Sequence, residues 1–179
     1  MSIRVVTLRA CLAIALCAAS APAFAQAKPG AAAQVEPKAN VAAMYSFEHN
    51  FGANSPWGIA VDVSEKMHQI SPTVNVQAVM QFVYSHYNHG GSDVMFGGGA
   101  RWGITPHGNI TPYFQVLAGL THCCENNWFT FVAGGGADIK VSKTSRIKIR
   151  IEGNWVVIFE DPDHGFRFNA GVVIPFGKK

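Results

Sequence analysis

From Ala39 onward, apolar residues recur at every second position in a series of short segments separated by turn-forming residues. The clearest segment covers 74–85. Val74, Val76, Ala78, Met80, Phe82 and Tyr84 share one face, while Asn75, Gln77, Gln81 and Ser85 share the other with Val79 and Val83. A period of two is the signature of a strand whose faces meet different environments. Further segments follow the rule: Trp57, Ile59, Val61 and Val63 oppose Gly58, Ala60, Asp62 and Ser64; Val94, Phe96, Ala100 and Trp102 oppose Asp93, Gly97, Gly99, Arg101 and Gly103. Phe129, Phe131, Ala133, Ala137 and Ile139 oppose Thr130, Gly134, Gly136, Asp138 and Lys140; Ile147, Ile149, Ile151, Trp155 and Val157 oppose Lys148, Arg150, Glu152 and Asn154. The last segment sets Phe166, Phe168, Ala170, Val172, Ile174 and Phe176 against Arg167, Asn169 and Gly171. Segments around 41–47 and 110–120 alternate less cleanly. Turn chemistry punctuates them at 52–56, 88–91, 106–109 and 161–165. The pattern predicts an all-β fold, an eight-stranded antiparallel up-and-down transmembrane β-barrel over 39–177, at roughly 17–19 residues per strand and turn. An even strand number puts both chain ends on one side.

Alternation alone also fits a soluble barrel with its apolar face inward. Composition decides between them. Charged residues are 14% of the chain, against about 25% in typical soluble domains. Large aromatic and branched side chains crowd the apolar face beyond what a narrow lumen can hold. The other face is rich in Gly, Ala and amides and poor in Lys and Glu, which suits a lumen better than a water-facing surface. No run of about 18 apolar residues follows the N-terminal segment, so no membrane helix is expected. Residues 1–25 read as a signal peptide: Arg4 and Arg9 precede a short apolar core, and Ala23-Phe24-Ala25 forms a small-x-small cleavage site. Residues 26–38 read as a flexible periplasmic lead-in. The expected destination is the outer membrane of a Gram-negative envelope, after signal-peptide-dependent export. Without Arg4 and Arg9 the net charge is close to zero, which gives no basic stripe for nucleic acid.

With the apolar face toward lipid, the charges fall inside. Glu48, Asp62, Asp138 and Glu152 meet Arg101, Lys140, Lys148, Arg150 and Arg167. Unpaired buried charge is costly, so these residues are expected to form a lumenal ion-pair network. An eight-stranded barrel is just wide enough for side chains to fill, so the network is read as a plug. A narrow pore for small solutes is the alternative.

Phe96-Gly97-Gly98-Gly99-Ala100-Arg101 and Ile110-Thr111-Pro112-Tyr113-Phe114-Gln115-Val116-Leu117-Ala118-Gly119 resemble the middle of the outer-membrane β-barrel domain family. Ala133-Gly134-Gly135-Gly136-Ala137-Asp138-Ile139-Lys140-Val141, Arg150-Ile151-Glu152-Gly153 and the closing segment extend the resemblance over roughly 39–177. It implies a small eight-stranded barrel related to the membrane domain of major outer-membrane proteins. No activity or catalytic residue is shared across the family, and no cofactor is implied. The short loops differ from those of members that adhere through long surface loops. The resemblance also implies that Phe168, Val172, Ile174 and Phe176 carry the terminal signal read by the barrel assembly machinery. That machinery, lipopolysaccharide and phospholipid are the expected partners of a monomer with a structural or small surface-interaction role.

Three groups of residues could carry chemistry. His122, Cys123, Cys124 and Glu125 offer imidazole, thiolate and carboxylate, all metal ligands; a vicinal disulfide or two incidental thiols is the favoured reading, and no metal is expected. His49, His86, His89, His122 and His164, with Asp161, Asp163 and Glu125, fall at loops that a barrel mouth brings together, and a metal-binding or pH-sensitive rim is the functional alternative to ordinary polar loops. Ser85, His86, His89, Ser92 and Asp93 cluster around one turn, and small barrels that modify lipid A use such groups. A nucleophile and base must lie within hydrogen-bond reach, and a polar hairpin is the simpler reading. No catalytic residue is therefore assigned.

Overall fold

The computed structural model describes residues 38–50, 54–88, 90–104, 108–123, 125–142, 145–159 and 164–177. Eight strands follow one another: β1 Ala39–Asn50, β2 Asn54–Ser71, β3 Val74–His86, β4 Ser92–Ile104, β5 Ile110–Cys123, β6 Asn126–Lys140, β7 Lys148–Ile158 and β8 His164–Phe176. Each pairs antiparallel with its sequence neighbours, and β1 pairs with β8 from Ala39↔Phe176 to Asn50↔Gly165, closing the ring. Closure leaves no open sheet edge, the condition under which strands can cross a bilayer. The expected signal peptide and residues 26–37 of the lead-in lie outside the described residues. Lys38 is already tied to the barrel: its carbonyl accepts the Lys66 N–H and its ammonium sits 3.0 Å from Glu65.

Two boundaries differ from the sequence reading. β2 begins at Asn54 and runs to Ser71, so it takes in part of the expected 52–56 turn and is the longest strand at 18 residues. Register shifts against β3 at Lys66/His68 and Gln69/Ser71 absorb its extra length, and alternation fades there because both faces are exposed. At the β5–β6 hairpin, Cys123 pairs with Asn126, so His122 and Cys123 belong to β5 rather than to a loop. Glu125 takes φ 72°, the left-handed backbone that a tight two-residue hairpin turn demands.

Burial is inverted relative to a soluble protein. Ile59, Phe96, Leu120 and Ile174 are each more than half exposed, in a belt of large apolar side chains around the outside. The fully buried large side chains include Arg101, Arg150, Arg167, Gln81, Gln115, Glu48 and Glu152. Inward apolar residues, among them Val83, Met95, Leu117, Val132 and Val156, fill the space between them. Glycine makes room where the interior is most crowded. A methyl group on Gly136 of β6 would lie 2.8 Å from Glu152 Cβ, and one on Gly134 would lie 2.4 Å from Asn154 Oδ1. The glycines let β7 turn large polar side chains inward beside β6.

Candidate functional site in the lumen

The inward positions of the seven strands β2 to β8 deliver one connected cluster. Asp62 Oδ2 accepts from two guanidiniums, Arg101 at 2.8 Å and Arg150 at 2.6 Å. Arg150 also spans Asp138, with Nε to Oδ1 at 2.7 Å and Nη2 to Oδ2 at 3.0 Å. Arg101 donates to Gln115 and lies 3.8 Å from Glu152. Glu152 accepts from the Tyr113 hydroxyl at 2.6 Å, Asn169 at 2.6 Å, Asn154 at 3.0 Å and Gln81 at 3.2 Å. The Tyr113 ring lies 4.5 Å from the Arg101 guanidinium carbon and 5.1 Å from that of Arg150, within cation–π range of both. Bidentate and shared charge-assisted bonds of this kind offset the desolvation cost of burying five charges.

A second, smaller cluster lies toward the end of the barrel opposite the chain termini. Arg167 donates to Glu48 Oε2 at 2.7 Å and touches Met95 Sδ at 3.2 Å. The Tyr87 hydroxyl donates to Asp93 Oδ2. Burial first, then the nearby Glu48 and Asp93 carboxylates, push the Tyr87 phenol above its ordinary range, so it keeps its proton.

Of the residues expected to form the network, Asp62, Arg101, Asp138, Arg150 and Glu152 meet in the first cluster, and Glu48 and Arg167 in the second. Lys140 and Lys148 face one another in the β6–β7 register, two positions beyond the Asp138↔Arg150 pair. Sequence reasoning did not count Tyr113, Gln115, Tyr87 or Asp93 as network members. The signal for the first two was present: Ile110, Pro112, Phe114 and Val116 point outward, which phases Tyr113 and Gln115 inward.

The other candidates are separated by the same alternation that builds the lumen. Ser85 and Asp93 are buried inward, whereas His86 and Ser92 pair across the outer face, so serine, histidine and acid do not converge. His122 is exposed, and its Nδ1 lies 3.0 Å from Asn127 Oδ1, while Cys123 turns to the other face. His86 packs on Trp57 at 5.2 Å and His164 on Trp155 at 5.6 Å, each on its own part of the outer wall. Among the described residues no three His, Cys, Asp or Glu side chains are gathered for a metal. His89, Cys124, Asp161 and Asp163 lie outside the described residues. Phe168, Val172, Ile174 and Phe176 all face outward on β8.

A closed antiparallel ring of eight strands, apolar outside and ion-paired inside, is the fold of the small outer-membrane barrels. Among solved structures it is similar to Neisserial surface protein A, with a TM-score of 0.60 and 8% identity over 77% of this chain and 96% of that one. It is also similar to Ail, the attachment invasion locus protein of Yersinia pestis, with a TM-score of 0.53 and 10% identity over 79% of this chain and 100% of that one. No family model and no curated protein matches the chain.

Proposed function

We propose that the protein is an integral outer-membrane β-barrel with a structural or small surface-interaction role, its lumen plugged by the two ion-pair clusters. The observation that carries this reading is the inverted polarity: buried arginine–carboxylate pairs inside, a belt of exposed Phe, Trp, Ile and Leu outside. Such a surface is covered in a bilayer and would aggregate in water. The fold shared with Neisserial surface protein A and Ail supports the same placement. Lipopolysaccharide and phospholipid would contact the belt of a monomer exported by its signal peptide. The side chains filling the lumen favour a plug over a pore, and the separation of Ser85 and Asp93 from His86 favours a non-enzymatic role. Membrane fractionation with heat-modifiable migration on gels tests the placement; recovery in the soluble periplasm defeats it. Planar bilayers test the plug: the purified protein should show no steady large conductance, and a stable open channel defeats that part alone.

A further inference from the structure

The two ends of the barrel carry different bases. The stretches that build the end opposite the chain termini, 49–57, 84–96, 120–131 and 155–168, contain a single Lys or Arg, Arg167, and it points into the lumen. Among the described residues, Lys38, Lys66, Lys140, Arg146 and Lys148 all lie toward the other end. What the first end carries instead is histidine. His49 is the penultimate residue of β1, His86 the last of β3, His122 the penultimate of β5 and His164 the first of β8. All four stand on the outer face, because their chain neighbours Glu48, Ser85, Thr121 and Gly165 are the buried, inward ones. Two residues nearer the middle of each strand, on the same face, come Phe47, Tyr84, Leu120 and Phe166 of the apolar belt. Each histidine therefore sits roughly 7 Å further along its strand than that side chain. Trp57 packs on His86 and Trp155 on His164, and tryptophan settles where acyl chains give way to headgroups. The histidines thus cap the belt at headgroup depth, spaced around the wall rather than gathered at one point.

We propose that His49, His86, His122 and His164 dock the phosphate headgroups of outer-leaflet lipids and hold them more tightly as pH falls. This rests on the outer-membrane placement proposed above and names the contact made at one edge of the belt. A phosphate monoester keeps one negative charge throughout and loses its second only near pH ~6. Imidazole gains its positive charge between about pH 5 and 8. With no Lys or Arg facing outward at this end, attraction between wall and headgroup depends on imidazolium alone. The register sets Asn54 and Phe166 against His49, Trp57 and Ser92 against His86, Val94 and Asn127 against His122, and Val157 against His164; none is charged. The other titratable groups nearby are Tyr84, two residues from His86, and exposed Glu125 in the turn after β5. Glu160, Asp161 and Asp163 precede His164 in the chain, and they and His89 lie outside the described residues. Carboxylates as a class titrate below about pH 5, so they oppose the headgroup by a constant amount and leave the pH dependence to imidazole.

The test places the protein in phosphatidylcholine bilayers containing brominated phosphatidic acid, a phosphate monoester, with brominated phosphatidylcholine as the reference. Quenching of Trp57 and Trp155, beside two of the histidines, reports which lipid gathers at the wall. The preference of wild type for phosphatidic acid should rise roughly 2–5-fold from about pH 8 to about pH 5.5. The quadruple variant His49→Gln/His86→Gln/His122→Gln/His164→Gln keeps polar side chains at all four places and should lose the rise. Should it fail to show heat-modifiable migration, the paired variants His49→Gln/His164→Gln and His86→Gln/His122→Gln should each lose about half of it. A wild-type preference that does not rise overturns the proposal. So does a rise that the glutamine variants keep in full, because the cations at the other end or the lipid itself then carry it. In bilayers of phosphatidylcholine alone, sodium phosphate should leave wild-type fluorescence unchanged at both pH values. A saturable change there that the variants lack assigns the rim to free anions and overturns the lipid reading. Failure to enter bilayers at all defeats the membrane placement instead, which gel migration reads separately.

Discussion

The two charged clusters inside this barrel solve the same problem to different degrees. In the larger one, Asp62 is shared by Arg101 and Arg150, Asp138 is gripped by two nitrogens of Arg150, and Glu152 accepts from a phenol and several amides. The smaller one has a single guanidinium, engaged on Glu48, and a single phenol, engaged on Asp93. The difference teaches where rigidity is placed. A network whose members restrain one another from seven strands, β2 to β8, fixes the wall, whereas one held by fewer bonds restrains its carboxylates less.

Removing one cation from the larger cluster should be the most damaging change. Arg150→Ala leaves Asp62 with one partner and Asp138 with none of its guanidinium bonds, so folding stability should fall by roughly 3–5 kcal/mol. Urea titration in lipid vesicles, followed by tryptophan fluorescence, reads this directly. The neighbouring residue tests the other face. Ile151 points outward, and Ile151→Arg should cost roughly 2–4 kcal/mol in a bilayer. The same titration should show a smaller loss in charged detergent. A change at Arg150 that proved milder than the one at Ile151 would remove the contrast between a lumen sealed by ion pairs and one merely filled.

Glu48→Gln should cost less, about 1–3 kcal/mol, because the neutral amide still accepts from Arg167 and Asp93 remains nearby. If Glu48→Gln matched Arg150→Ala, the two clusters would be equally constrained. The mildest effect is a pH dependence. The folded barrel holds the Tyr87 proton above the ordinary phenol range, whereas the unfolded chain releases it near pH ~10. The unfolded state then binds fewer protons, so stability should fall as pH rises above about 10. Tyr87→Phe should flatten that fall relative to wild type in matched alkaline titrations.

Alternation alone made the wall legible. It assigned Asp62, Arg101, Arg150 and Arg167 to the inner face and Phe96, Trp155 and Phe168 to the outer one, because a strand leaves each side chain only two directions. It could not say which inward charges would touch, since partners such as Asp62 and Arg150 lie 88 positions apart and meet only through closure and register. Tyr113 was hidden by its ring, which reads as apolar though its hydroxyl serves Glu152. Tyr87 was hidden by its place at a turn, where polar residues are expected for other reasons, whereas Asp93 was phased inward by the alternation but read with that turn. The extra length of β2 was illegible because the bulges beside Lys66 and Gln69 erase the period on which the reading depends.

The pairing of β1 with β8 has a temporal consequence. Its partners, Ala39 and Phe176 among them, stand at opposite ends of the barrel sequence. Neighbouring hairpins can form locally, but the ring closes only after the final strand has been delivered, and the Glu48–Arg167 pair forms only then. Until that moment β1 carries a row of unsatisfied backbone groups in search of a strand. The pairing of greatest sequence separation is therefore the one that completes the ring, and a chain halted before His164 would keep the β1 edge open.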